Sequence, residues 1–210
     1  MKSSRVSSFR VLSILVALLI APLQNSYADT LEGMPSGEYN LDLTHASIVW
    51  KVDHFGLSDY VGRFNKFDAT VELNSEEFSQ SSVAVVIDTA SLDTDYPNPE
   101  KEDFNKKLID TWLDGVEFPK ITFTSTSVSE LQGDKFTVSG ELTMLGKTLP
   151  VVLDGTLNGA IVSHPFTKKP TIGFGATTTI KRGDWGVDKF IPNVGADVRV
   201  EIQGEFRHKS

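Results

Sequence analysis

Apolar and polar residues alternate along most of this chain, and this period of two constrains the fold more than any other feature. The final segment shows it most clearly, with Asp197, Arg199 and Glu201 placed between apolar neighbours. The positions of its apolar face are Ala196, Val198, Val200, Ile202, Gly204 and Phe206. Successive side chains of a β-strand point to opposite faces, so the pattern predicts a long strand with one wet and one buried face.

The same alternation recurs in further segments that turn residues separate. They lie around residues 39–43, 48–52, 67–73, 83–87, 121–125, 136–144, 149–157 and 172–180. The connection Leu145-Gly146-Lys147 is short enough to join two of them as a hairpin. Eight or nine strands in succession must protect their sheet edges, and closing into a barrel removes those edges. We therefore predict an all-β fold, an extended antiparallel barrel of eight or nine strands, with a two-sheet sandwich as the alternative.

One stretch, residues 102–113, has helical periodicity instead. Phe104, Leu108 and Trp112 recur every four residues and form one apolar stripe over about three turns. This pattern predicts one short helix near an end of the barrel. The helix either only plugs that end or also lines a ligand site.

The first 28 residues read as an export signal. Lys2, Arg5 and Arg10 precede an apolar run at residues 11–21, and Ser26-Tyr27-Ala28 offers small residues for cleavage. That run is about half of the ~20 residues that span a bilayer, so we expect a cleaved signal peptide and no membrane anchor. The expected mature protein, residues 29–210, is one domain in the periplasm, or secreted if the cell has a single membrane.

Charge and composition exclude several classes of function. Removing the three basic residues of the signal takes the formal charge from −8 to −11, which repels nucleic acid and anionic membranes. The chain has no cysteine, so it has no thiol nucleophile and no Cys-based metal site. Its four histidines show no metal-binding spacing. The sequence also lacks a nucleophile elbow and a phosphate-binding loop, so we predict no catalysis, no cofactor and no metal.

The predicted inner face is rich in aromatic rings beside small residues. The rings are Trp50, Phe67, Phe104, Trp112, Phe123, Phe136 and Phe174, and the small residues are Ala69, Gly140, Ala176 and Gly204. A barrel of about eight strands is either filled by its own side chains or holds one small ligand. Rings beside small residues can leave a slot for a ligand, whereas the plainer interpretation is an ordinary packed core.

Five short motifs follow one another along the chain. The first two are residues 47–56 (SIVWKVDHFG) and residues 61–67 (VGRFNKF). The next two are Trp112-Leu113-Asp114 with residues 118–125 (FPKITFTS), and residues 140–151 (GELTMLGKTLPV). The last is residues 181–186 (KRGDWG). Together these motifs run through nearly all of the expected mature chain, and in this order they resemble the YceI family of exported bacterial proteins.

This resemblance implies a lipocalin-like barrel whose long apolar pore takes a polyisoprenoid, an isoprenoid quinone or a fatty amide. The implied function is that of a binding or carrier protein. Two alternatives remain, an accessory protein that presents a bound quinone to a redox partner and a structural domain with a filled core. Besides the seven rings above, we predict lipid contacts from Val52, Phe55, Phe64, Leu108, Leu142, Met144 and Trp185.

Three polar residues are candidates for contact with a ligand head group. Arg182 and Asp184 precede Trp185 in the densest polar and aromatic group of the chain, where a planar guanidinium suits an anionic or carbonyl group. The plainer interpretation is a surface ion pair between Arg182 and Asp184. His54, at the end of a predicted strand, either meets the head group or bonds neighbouring backbone.

Overall fold

The computed structural model describes residues 31–209, most of which lie in ten antiparallel strands. Their bounds are β1 Gly37–His54, β2 Ser58–Phe64, β3 Phe67–Leu73, β4 Ser82–Asp88, β5 Leu92–Asp93, β6 Lys120–Val128, β7 Lys135–Met144, β8 Lys147–Ile161, β9 Thr171–Lys181 and β10 Val194–His208. One α-helix, α1 at Phe104–Thr111, follows β5. The predicted signal peptide and its cleavage site lie outside this range.

Eight of the strands close into a barrel. Neighbours are paired in the order β10, β9, β8, β7, β6, β4, β3 and β1, and β1 pairs in turn with β10 along most of its length. Closure leaves no free edge in this cycle, which confirms the predicted barrel and excludes the two-sheet sandwich. Along β10 the odd-numbered positions 197 to 203 are exposed and the even-numbered ones face inward, as the period of two predicts.

The long strand β1 pairs with two different strands, β3 and β2, along the same side. Its first residues pair with β3, and its last seven pair with β2, which continues in turn to β5. Residues 65–66 interrupt β2 and β3, which lie along the same side of β1. The barrel is therefore longer on this side, and α1 follows the extension.

The sequence divided β1 into two strands because its alternation is broken. Leu41 pairs with Phe206 and Ala46 with Gly204, so four residues of β1 bulge outward against one residue of β10. Such a bulge shifts the register and bends the strand. The alternation also failed to reveal β2 and the two-residue β5.

The two ends of the barrel differ. We call one the helix end, where α1, the β1–β2 turn, the β7–β8 turn and the β9–β10 loop meet. The opposite end, which carries the β3–β4, β6–β7 and β8–β9 connections, we call the Phe78 end, because a 3-10 turn at Phe78–Gln80 buries Phe78 there. At the helix end Leu145 and Gly146 both have positive φ, 52° and 69°, which confirms the predicted hairpin turn.

The predicted helix exists but is shorter than its apolar stripe. It begins after Asp103, whose carboxylate accepts a hydrogen bond from the Lys106 backbone N–H at 2.9 Å, and Trp112 lies at its C-terminal cap. Only Leu108 of the helix is fully buried. Between residues 31 and 209, no helix is both long and apolar enough to cross a bilayer.

Candidate ligand cavity

An apolar cavity of about 110 Å³ lies inside the barrel, toward the Phe78 end. Every strand of the closed barrel contributes to its wall, together with Phe78 and Ser81 from the β3–β4 connection. Among residues 31–209, no charged side chain lines it. Gln203 contributes to the wall, but its side-chain oxygen accepts a hydrogen bond from Asn158 at 3.1 Å on the exposed outer face of β10. The cavity can therefore accommodate only uncharged, largely hydrocarbon groups without a desolvation penalty.

Four phenylalanine rings form one side of this cavity. Phe136 meets Phe78 at 5.0 Å between ring centroids and Phe174 at 5.7 Å, in both cases edge to face. Phe174 in turn meets Phe206 at 5.9 Å. Rings in this arrangement attract one another beyond their area burial, so they form a continuous and stable apolar wall.

The structure places three of the predicted lipid-binding residues on the cavity wall: Phe67, Phe136 and Phe174. The others lie elsewhere. Buried side chains of the surrounding core are Val52, Leu108, Phe123, Met144 and Trp185, and partly buried ones are Trp50, Phe64, Phe104, Trp112 and Leu142. Phe55 is 56% exposed on the β1–β2 turn, and none of the α1 residues touches the cavity.

Two cavity rings were not among the predicted site residues. Phe206 lies on the inward face of β10, and its position in the alternation was sufficient to find it. Phe78 gave no such signal, because it stands alone in the polar run of residues 74–82. It reaches the interior through the 3-10 turn and not through a strand.

Aromatic rings occupy the space above several glycines of the inner face, so these glycines leave no slot for a ligand. A Cβ built on Gly155 would fall 2.5 Å from Phe136 Cε2, and one on Gly140 would fall 2.3 Å from Phe123 Cζ. On Gly62 it would fall 2.1 Å from Trp50 Cζ2. The expectation that small residues open a slot is therefore wrong at Gly140, whereas Ala69, Ala176 and Gly204 do line the cavity.

Arg182 is buried and organises the helix end. Its guanidinium donates four hydrogen bonds to backbone oxygens, to Val187 at 2.7 Å, Gly195 and Val194 at 2.8 Å, and Lys189 at 3.0 Å. Burial lowers the pKa of Arg182 from its usual value, and the charge of Asp188 partly offsets this effect. These bonds hold the β9–β10 loop in place, with the guanidinium 5.3 Å above the Trp112 ring.

The other two head-group candidates lie at the surface of the helix end. Asp184 is exposed and makes no salt bridge with Arg182 within the part of the chain that the structure describes, so the surface ion pair considered above is wrong. His54 is exposed, and its ring meets that of Phe55 edge to face, with 4.8 Å between the ring centroids. Neither residue lines the cavity.

The bulge of β1 carries a polar cluster that sequence spacing did not reveal. His45 Nδ1 lies 2.7 Å from Asp42 Oδ2, Thr44 Oγ1 donates to Asp42 Oδ1 at 2.7 Å, and Arg207 contacts the same carboxylate. Burial raises the pKa of Asp42, but the hydrogen bonds from His45 and Thr44 and the charge of Arg207 outweigh it and lower the pKa to about 2. The cluster ties the bulge of β1 to β10, and the guanidinium on Asp42 disfavours a metal cation there.

Comparison with known proteins agrees with this architecture. A UPF0312 protein of Vibrio cholerae is 32% identical over 171 residues, which cover 80% of this chain and 87% of the relative. The crystal structure of Burkholderia cenocepacia BcnA superposes with a TM-score of 0.64 at 25% identity, over 79% of this chain and 98% of BcnA.

A third similarity is one of fold alone. A domain of Saccharophagus degradans, described as polyisoprenoid-binding and implicated in plant cell wall breakdown, superposes with a TM-score of 0.57 at 15% identity. The match covers 80% of this chain and 97% of that domain. A family model described as the YceI-like domain matches residues 39–206. With the barrel, the five sequence motifs and these matches in agreement, the chain belongs to the YceI family.

Proposed function

We propose that this protein binds a long apolar lipid of the polyisoprenoid type inside its barrel and carries it without chemical change. The observation that carries this proposal is the cavity, which every strand of the closed barrel lines and which no charged side chain of the described residues lines. An isoprenoid chain offers little except apolar area, and such a wall can match it. The polyisoprenoid-binding description of the Saccharophagus degradans domain, which shares the fold, supports the same ligand class.

The size of the cavity adds a condition to this proposal. About 110 Å³ is roughly a third of the ~300 Å³ at the lower end of small-molecule pockets. A long chain therefore enters only if wall side chains move, and affinity should rise with chain length, by about 0.8 kcal/mol per methylene removed from water, until the interior is full.

A structural domain with a filled core is the competing function, and the rings packed on Gly140 and Gly155 favour it. Solvent extraction of the purified full-length product followed by mass spectrometry separates the two. We expect isoprenoid lipid in the extract, or binding of an isoprenoid alcohol added in vitro. A clean extract together with no binding of the added isoprenoid would overturn the carrier function.

Variants at Phe174 locate the lipid. Phe174→Leu keeps the wall apolar and close to the native volume, so the lipid should be retained. Phe174→Asp places an unpaired carboxylate beside the hydrocarbon, and the lipid should be lost. The control is Val152→Asp, because Val152 is 54% exposed on the outside of β8. If a folded Phe174→Asp variant, with a β-rich circular dichroism spectrum, keeps as much lipid as Val152→Asp, Phe174 does not contact the ligand.

We also propose that the protein acts in the periplasm after losing residues 1–28. The basic start, short apolar run and Ser-Tyr-Ala sequence support export. Mass analysis of the exported protein should give an N-terminus at or near Asp29, and an intact Met1 on exported protein would contradict this.

A further inference from the structure

Trp50 carries a buried hydrogen-bond donor that has no acceptor among residues 31–209. Its indole Nε1 is shielded from solvent, and the ring lies over Gly62 on the neighbouring strand. Trp185 differs, because its Nε1 donates to the Leu142 carbonyl at 3.3 Å. Buried side-chain donors in native proteins are nearly always paired, so an unpaired one calls for a physical explanation.

The position of Trp50 links it to the cavity. It pairs with Gly62 on β2 and with Val200 on β10, so these three residues form one layer of the inner face. The next inward-facing pair on β1 and β10, Ile48 and Ile202, lines the cavity. Two residues of a strand span about 7 Å, which places Trp50 one layer beyond the cavity in the direction of the helix end.

We propose that the Trp50 indole N–H donates a hydrogen bond to an uncharged oxygen acceptor on the ligand, such as the carbonyl of a ketone, quinone, amide or ester. The ligand's hydrocarbon then occupies the cavity between Trp50 and the four phenylalanine rings. This inference rests on the proposed function and adds to it the polar group of the ligand and its orientation.

A single buried N–H donor selects an uncharged acceptor. One N–H cannot compensate the burial of a phosphate or a carboxylate, whose desolvation is far more costly than that of a carbonyl. The buried guanidinium of Arg182 already donates four hydrogen bonds to backbone oxygens, so it does not offset the burial of an anionic group at Trp50. Lipids that end in an anionic group are therefore disfavoured in this orientation.

The first test is nuclear magnetic resonance on the unmodified protein. The chain has only three tryptophans, so a nitrogen-15 spectrum contains three indole signals, and those of Trp112 and Trp185 are internal controls. We expect farnesylacetone, an isoprenoid ketone, to move the Trp50 indole proton downfield. The hydrocarbon β-farnesene, which has no oxygen, should not produce this downfield shift. An equal response to both probes would overturn the inference.

The second test removes the donor and keeps an apolar ring. Trp50→Phe should weaken farnesylacetone binding about three- to tenfold, as expected for one hydrogen bond, and should leave β-farnesene binding unchanged. Displacement of the dye N-phenylnaphthylamine measures both affinities. Trp112→Phe is the matched control, because it also removes an indole N–H but lies at the end of α1, with its ring against the Arg182 guanidinium and not in the layer next to the cavity.

The outcomes separate this inference from the function on which it rests. If neither probe binds the parent protein, the proposed function fails. If both probes bind and Trp50→Phe weakens them equally or not at all, the hydrogen bond is refuted and the carrier function stands. The spectra of the parent protein decide the matter even if the variant is unstable.

Discussion

Replacing Gly155 by alanine should destabilise the barrel, although alanine normally improves a strand. The added methyl carbon would lie 2.5 Å from both Cε2 and Cζ of Phe136. Carbon atoms in contact prefer about 3.5 to 4.0 Å, so the ring must retreat by roughly 1 Å. Phe78 and Phe174 pack against it at 5.0 and 5.7 Å, which restricts the directions in which it can move.

Two opposing contributions set the magnitude. Overpacking of a dense core costs about 1 to 3 kcal/mol. Removing a glycine from the unfolded chain returns about 0.5 to 1 kcal/mol, provided that its backbone conformation suits alanine. The net loss in free energy of unfolding should lie between about 0 and 2.5 kcal/mol, and a loss of about 1 kcal/mol, near the middle of this range, lowers the melting temperature by about 2 to 4 °C for a domain of this size.

Thermal unfolding followed by circular dichroism measures this loss, and two comparisons identify its cause. Gly173→Ala is the control, because a Cβ there meets nothing closer than 3.6 Å, so that variant should melt at or above the parent temperature. In a Phe136→Leu background the ring is gone, and Gly155→Ala should no longer be costly. A Gly155→Ala variant as stable as Gly173→Ala would refute the claim that the ring fills this glycine.

Three further predictions concern the polar residues and the strained turn. Arg182→Lys should lower the free energy of unfolding, measured by urea titration, by about 1.5 to 3 kcal/mol, because one ammonium cannot reach four carbonyls. The control, Arg199→Lys at an exposed arginine, should leave the free energy of unfolding nearly unchanged. Hydrogen bonding to Asp42 and the charge of Glu205 raise the pKa of His45, so its contribution to stability is complete below about pH 6.5 and is lost as the pH rises through the raised pKa. The melting temperature should therefore fall less between pH 6 and pH 8 in His45→Gln than in the parent, and an identical fall would contradict this role. Phe55 has a φ of 60° and Gly56 a φ of 67°, and a turn with two positive φ angles favours the sequence Asn-Gly. Phe55→Asn should therefore raise the free energy of unfolding by about 0.5 to 1 kcal/mol. A lower urea midpoint in this variant would refute backbone strain at Phe55.

The period of two predicted most of the fold because it records burial residue by residue. It located every strand of the closed barrel, and the hairpin at Gly146 followed from a single glycine between two such strands. It divided β1 into two separate strands, because the four-residue bulge at Asp42–His45 breaks the alternation. A bulge is stabilised by tertiary contacts, here with Arg207 far along the chain, and local sequence does not contain that information.

The candidate site was harder to predict than the fold, for a different reason. The alternation along a strand shows which side chains face inward. It does not show whether an inward side chain borders a cavity or belongs to a fully packed layer. Phe123 and Phe136 both face inward and both pack over a glycine, yet only Phe136 borders the cavity. Phe136 lies at the start of β7, near the Phe78 end, whereas Phe123 lies near the start of β6, toward the helix end. The role of Arg182 was equally hidden, because its four acceptors are backbone oxygens that any sequence supplies.

The anchoring of the cavity rings determines where a longer ligand can be accommodated. Phe136, Phe174 and Phe206 stand on strands that are hydrogen-bonded to a neighbouring strand on both sides. Phe78 stands on a 3-10 turn of three residues, and Glu77 before it makes no side-chain capping hydrogen bond. Displacing a strand breaks many backbone hydrogen bonds at once, whereas this turn has two backbone bonds of its own, from Gln80 N–H to the Glu77 carbonyl at 2.9 Å and from Ser81 N–H to the Phe78 carbonyl at 3.0 Å. Because the cavity lies at the Phe78 end, additional chain length should be accommodated by movement of Phe78, while the helix end stays fixed by Arg182.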